Sequence, residues 1–307
     1  MLKNLVFSKK SSTFKVIPLG VKGGLIESDL SSYLVAPFGT DDYICFDAGT
    51  LRVGIEKAIS RKIFPISNPD DVFKNYIKAY FISHAHLDHT GGLIINSPND
   101  VNKNIYALPD CMNMIVRNYF NWQSWPNFGN EGNGFLLKKY AYQTLVERQE
   151  TMITNTTMNV TAYSLSHSNP YQSTAFLVRN NGNYVLYLGD TGPDEIEKTH
   201  NLSILWTNIA PIIKEKKLKG IFIEVSYPNE QPDNALFGHL TPKWLMKEMS
   251  VLNTLVGNKK LLRECKIIIV HIKPTANDVK KIREQLKKAN KLRLNIIFPQ
   301  QGVLFTL

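Results

Sequence analysis

The stretch Ser83-His84-Ala85-His86-Leu87-Asp88-His89-Thr90-Gly91-Gly92 constrains this chain more than any other. Three histidines and one aspartate fall within six residues, just after the apolar run Ala79-Tyr80-Phe81-Ile82. That run favours β structure and reads as a buried strand. Gly91-Gly92-Leu93-Ile94-Ile95 reads as the opening of a short helix. The cluster is therefore expected on a turn at the carboxyl end of a strand. In an extended turn, residues two apart point the same way, so His84 and His86 can grip one metal ion. Asp88 and His89 come after the turn and can face a second. Neutral imidazole plus carboxylate suits Zn²⁺, with Mn²⁺ or Fe²⁺ as alternatives.

Further ligand-type side chains lie just past hydrophobic strands. His167 follows the predicted strand 160–165, Asp190 follows 184–188, and His271 follows 267–270. Taken singly, a strand-end His or Asp is most simply a structural residue. Together with the first cluster, five of the seven histidines and two aspartates occupy equivalent strand ends. Residues so placed gather at one edge of a sheet.

The remaining pattern predicts strands at 14–19, 32–36, 43–46, 78–82, 104–107, 173–178, 220–224, 295–298 and 303–305. Helices are expected over 51–60, 204–218, 242–256 and 278–291; Thr241-Pro242 is a good start signal. From Pro109 to Gly134 an aromatic-rich segment reads as a helix followed by an irregular loop. Strand-rich halves with interspersed helices suggest an α/β (α+β) chain, two packed sheets with helices outside. No linker interrupts residues 1–307, so one domain is expected, with the aromatic segment around 109–134 inserted at the active site.

Composition excludes several classes. With 43% hydrophobic and 20% charged residues, the chain is ordinary for a globular protein. No apolar run approaches 18 residues, so no membrane span is expected. Residues 1–10 lack an apolar segment long enough for a signal peptide, which makes the cytoplasm the default location. Cys45, Cys111 and Cys265 are an odd, unpaired set that reads as reduced core residues. The net charge of +10 is scattered apart from lysine runs in 214–219 and 280–291. It reads as a general attraction for anionic substrates rather than as a nucleic-acid face.

The pattern His-x-His-x-Asp-His, then His167, Asp190 and His271, resembles the metallo-β-lactamase superfamily over nearly the whole chain. The resemblance implies an αββα sandwich. It also implies that His84, His86 and His167 hold one metal, that Asp88, His89 and His271 hold the other, and that Asp190 bridges them. More narrowly, His84 through Pro98 resembles the signature of class II 3′,5′-cyclic-nucleotide phosphodiesterases, with Leu87 inside the cluster and Ser97-Pro98 ending the helix. Thr90 departs from that signature and leaves every ligand intact. Residues 121–127 and 236–242 are similar to the same family.

The resemblance implies hydrolysis of the 3′ phosphoester of cAMP or cGMP to the 5′-monophosphate, and it suggests a homodimer. Asp88 and His239 are the candidate catalytic residues. His239 is the available acid for the leaving 3′ oxygen, because histidine titrates near neutral pH. Trp125 and its aromatic neighbours Tyr119, Trp122 and Phe128 are candidates to stack a base. Asn121 and Asn127 are candidates for its edge, and Ser168, Ser173 and Thr174 for the phosphate. Asp47 is expected to brace the metal loop. Two competing readings are a tRNA 3′-processing endonuclease of the same superfamily and a non-catalytic metal-binding sensor. The absence of a recognisable Gly-rich basic arm argues against the first. The complete ligand set argues against the second.

Overall fold

The computed structural model describes residues 12–307, so the N-terminal reading of residues 1–10 lies outside it. The first sheet takes β1 (Phe14–Gly20), β2 (Ser32–Pro37), β3 (Tyr43–Phe46), β4 (Ile77–Phe81), β5 (Lys103–Ala107) and β6 (Tyr140–Thr144). The second takes β7 (Glu150–Met152), β8 (Asn159–Ser166), β9 (Gln172–Asn180), β10 (Asn183–Leu188), β11 (Leu218–Glu224), β12 (Lys266–Val270) and β13 (Asn295–Ile297). The last strand, β14 (Phe305–Thr306), returns to pair with β1. The strand orders are β14-β1-β2-β3-β4-β5-β6 and β13-β12-β11-β10-β9-β8-β7.

Each sheet is antiparallel on one side and parallel on the other. The change falls at β3 in the first sheet and at β10 in the second. Consequently β3, β4, β10, β11 and β12 end at one rim. So does β8, which is antiparallel to β9 as β9 is to β10.

The central strands are buried on both faces, which explains why they read as apolar runs rather than as alternations. Along β12, Ile268 and Val270 enter the core between the sheets, while Ile267 and Ile269 face the helices. Helices Arg52–Ser60, Leu87–Asn96 and Pro109–Asn118 cover the first sheet. Helices Asn201–Lys214, Pro242–Val256 and Asp278–Ala289 cover the second. The result is four layers, αββα. Phe46 stacks on Tyr187 with centroids 4.8 Å apart, and Phe81 stacks on Tyr106 at 4.7 Å. These rings form a rigid floor beneath the rim where the site residues emerge. Cys45, Cys111 and Cys265 are free and buried. Among the described residues no helix is long and apolar enough to cross a membrane.

Several boundaries differ from expectation. The helix after the histidine cluster begins at Leu87, not at Gly91, so Asp88 and His89 already stand on its first turn. The helix expected over 204–218 runs Asn201–Lys214, and Leu218 opens β11. Strands β6 and β7 were not anticipated. They lie at the sheet edges, and the burial pattern of β7 shows no fully buried residue, so its hydrophobic signal is weak.

Candidate metal centre

Six strand ends converge on one rim. β3 delivers Asp47 and β4 delivers His84 and His86; β8 delivers His167, β10 delivers Asp190, β11 ends on Glu224 and β12 delivers His271. Ligand atoms of His84, His86 and His167 all lie within 4.8 Å of one another, as do those of Asp88, His89 and His271. Asp190 stands between the two groups. Its Oδ2 is 3.7 Å from His84 Nε2, 3.8 Å from His167 Nε2, 3.4 Å from His89 Nε2 and 3.0 Å from His271 Nε2.

The rings are held from behind. Asp47, fully buried, accepts hydrogen bonds from Ser83 N at 2.7 Å, Ser83 Oγ at 2.8 Å and Tyr187 OH at 2.6 Å, and pairs with His89 Nδ1 at 2.7 Å. Ser83 Oγ also meets His84 Nδ1 at 3.0 Å. His271 Nδ1 lies 2.8 Å from Ser31 Oγ, and His167 Nδ1 donates to Gly238 O at 2.9 Å. Each contact fixes the ring's orientation and leaves its other nitrogen facing the centre. Space is tight as well: a Cβ on Gly23 would lie 2.4 Å from the His271 ring.

The donor set suits divalent metal ions. His89 Nε2 and His271 Nε2 are buried without a hydrogen-bond partner, and both face Asp190 Oδ2, at 3.4 and 3.0 Å. A buried polar nitrogen left unpaired costs roughly 1–3 kcal/mol, and a cation removes that cost. Burial holds His84 well below the ordinary histidine pKa, lowers His86 and pushes His167 down to about 4. Their lone pairs are therefore free to coordinate near neutral pH. Burial would also lower His89, but Asp190, Asp47 and Asp88 outweigh it and lift its pKa well above normal. Carboxylates that draw a proton there draw a metal cation equally. Burial would raise Asp190, yet His271 and His89 hold it well below the usual carboxylate range.

Beside this cluster lies a cavity of about 340 Å³. His86, Asp88, His167 and Asp190 form its wall of ligand-type residues. Ser168, Tyr171, Phe237, His239 and Lys273 line the rest. The Tyr171 ring stacks on His86 with centroids 4.8 Å apart. His239 is buried, with Nδ1 2.7 Å from Glu224 Oε1. Burial would lower the His239 pKa, but the Glu224 carboxylate reverses that and raises it. Glu224 is itself fixed by Thr191 N, Ser226 N and Ser226 Oγ at 2.6–3.1 Å.

The structure brings Asp88, His239 and Ser168 to the cavity together with all the ligand-type residues. It brings none of the six base-contact candidates, Tyr119, Asn121, Trp122, Trp125, Asn127 and Phe128, to the cavity lining, and for three of them the reason is plain. Asn127 is fully buried, and its amide ties Glu131 O, Asn133 O and Gly129 N within its own loop. Asn121 binds Arg117 O and caps the turn at Gln123 and Ser124. Trp125 packs on the first-sheet core and donates to Ser97 Oγ at 3.0 Å. All three brace the aromatic loop instead. Ser173 and Thr174 are buried in β9, away from the cavity lining. Sequence reasoning missed Glu224, Ser31, Tyr171, Phe237 and Lys273. Glu224 carried a usable signal, being an acid that ends an all-apolar strand.

Comparison with known proteins agrees with this architecture. The family model described as cAMP phosphodiesterases class-II matches residues 68–302. The 3′,5′-cyclic-nucleotide phosphodiesterase of Aliivibrio fischeri is 44% identical over 310 residues, covering 96% of this chain and 93% of that one. The unliganded structure of yeast PDE1 superposes with a TM-score of 0.86 at 24% identity, covering 97% of this chain and 100% of the other. The metallo-β-lactamase fold protein YhfI of Bacillus subtilis superposes with a TM-score of 0.61 at 15% identity, covering 95% and 99%. The fold is thus the metallo-β-lactamase fold, and, on the match over residues 68–302 and the identity to the Aliivibrio enzyme, the chain belongs to the class-II cAMP phosphodiesterases.

Proposed function

We propose that this chain hydrolyses 3′,5′-cyclic nucleotides to 5′-monophosphates at a two-zinc centre, with the described residues acting as one catalytic unit. The observation that carries the reading is the convergence of Asp190 Oδ2 with His84, His89, His167 and His271 at 3.0–3.8 Å beside an open cavity. Family membership supplies the substrate class. His84, His86 and His167 would hold one ion; Asp88, His89 and His271 would hold the other, with Asp190 shared. When bound, such a pair lowers the pKa of a shared water and offsets charge on the phosphoryl oxygens.

The protein's own groups do the rest. Asp47, Ser31 and Ser83 fix the imidazoles so that no reorganisation is needed during reaction. Glu224 holds His239 Nδ1, which leaves the ring's other nitrogen to hand a proton to the departing 3′ oxygen. Lys273 and Ser168 line the cavity where the anionic diester must enter, and the net charge of +10 favours its approach.

The test is a panel of 3′,5′-cyclic nucleotides and a pre-tRNA, incubated with zinc- and manganese-reconstituted protein. Release of 5′-AMP or 5′-GMP in the zinc form is expected. Cleavage of the tRNA with no monophosphate released would refute the substrate class.

A further inference from the structure

We infer that Phe237 is the platform on which the base of the substrate stacks. The inference deepens the proposed function and rests on it. Phe237 lines the cavity, yet 64% of its surface is exposed. Its neighbours are anchored: Leu236 and His239 are buried at 1% and 4% exposure. Phe237 itself has φ +51°, a left-handed conformation that is costly for a bulky side chain. Gly238 follows at φ +73°, where a Cβ would lie 2.2 Å from Ser168 N. The Gly238 carbonyl accepts the hydrogen bond of His167 Nδ1 at 2.9 Å. The chain is thus pinned to a ligand-type histidine on one side of Phe237 and strained at the residue itself. The outcome is an aromatic ring left facing water at the cavity rather than entering the core. Strain that persists with no packing gain points to a role with a ligand.

The ligand's chemistry follows from the surroundings. The wall of ligand-type residues takes the phosphodiester, and Lys273 lines the same cavity. Phe237 lines it too, one residue before Gly238, whose backbone packs against His167 and Ser168. A cyclic nucleotide has its anion at one end and a flat base at the other; of Tyr171 and Phe237, which both line the cavity, Tyr171 is already stacked on His86, and Phe237 is the one left exposed. Stacking is tolerant of base identity and favours the larger purine.

The experiment uses the full-length, metal-loaded chain with Phe237→Ala and Phe237→Trp. The substrates are cAMP, cCMP and ribose 3′,5′-cyclic phosphate, which has no base. Loss of one stack is expected to lower kcat/KM for cAMP about tenfold relative to the baseless diester, mainly through KM. It should also narrow the preference for cAMP over cCMP, and the tryptophan variant should restore both. An unchanged cAMP-to-baseless ratio in Phe237→Ala overturns the stacking role. So does an equal loss on both substrates or a loss of bound metal, because either marks Phe237 as a loop brace. If the wild-type chain hydrolyses no cyclic nucleotide, the underlying function falls and the stacking role falls with it. If the wild type is active, a failure in the variant touches the stacking role alone.

Discussion

Replacing Asp47 by Asn tests whether the metal centre is held from behind by one carboxylate. The two oxygens of Asp47 do different work. Oδ1 accepts only Ser83 N, while Oδ2 takes Ser83 Oγ, Tyr187 OH and His89 Nδ1. An asparagine keeps the volume but has one acceptor oxygen. Its better orientation puts that oxygen at the Oδ2 position, which turns its amide N–H groups toward Ser83 N, donor against donor. Three hydrogen bonds to a charged acceptor become bonds to a neutral one, at about 1 kcal/mol each, and one buried N–H is orphaned at about 1–3 kcal/mol. Because the donors share one site these costs are not fully additive, and about 4 kcal/mol is a fair total. For a chain of this size that lowers the melting temperature of metal-free protein by about 8 °C. Metal affinity should fall a further 10–100-fold, more for the ion held by His89, which touches Asp47 directly. Thermal melts of the metal-free protein and a chelator-competition titration measure both quantities. A variant that melts within about 2 °C of wild type and binds two ions equally well would refute the bracing argument.

Three further outcomes follow from the same geometry. His239→Ala should lower turnover about 10²–10⁴-fold with two metals still bound, measured by initial rates and elemental analysis. Glu224→Gln keeps the burial of His239 but removes the carboxylate that raises its pKa, so the acid form is lost at lower pH. The alkaline limb of the kcat profile should shift toward acid, and an unshifted limb would remove His239 as the proton donor. Gly23→Ala places a methyl 2.4 Å from the His271 ring and should leave about one metal per chain, whereas Gly91→Ala, whose methyl would come no closer than 3.8 Å to Gly49 O, should bind two and gain up to about 1 kcal/mol from helix propensity.

The fold was legible wherever burial was complete. Strands such as β4, β11 and β12 carry the buried runs Ala79-Tyr80-Phe81, Ile221-Phe222-Ile223 and Ile267-Ile268-Ile269-Val270, covered on both faces, which leave little ambiguity. Where burial falls away, so does the signal. β7 is a partly exposed edge strand that reads Glu150-Thr151-Met152 and carries no hydrophobic period. The helix start at Leu87 was misplaced for another reason. Gly91 and Gly92 look like a helix entry because glycine is a poor interior residue. Yet Gly92 is required inside the helix: a Cβ there would lie 2.7 Å from Ala48 O. Close packing of the ligand helix against the Asp47 loop overrides propensity, and only the tertiary arrangement shows that.

The same distinction separates the site residues that were readable from those that were not. A ligand-type side chain just past a buried strand is marked twice, by its chemistry and by its place at the rim, so chemistry and topology together single out His84, His167, Asp190 and His271. A substrate contact has no such double constraint. Asn127 has the right functional group for a base edge, but its own loop closes on it with three hydrogen bonds before any ligand arrives. Phe237 looks like a core residue in sequence and is exposed only because the backbone at Phe237 and Gly238 turns left-handed. Whether a polar group is already satisfied, and whether an apolar one has been left unsatisfied, depends on closure of the chain around it. Ligand-type residues could be found as a set by the strand-end rule; the substrate side of the cavity is a property of the loops that meet there, and it emerges only once they are folded together.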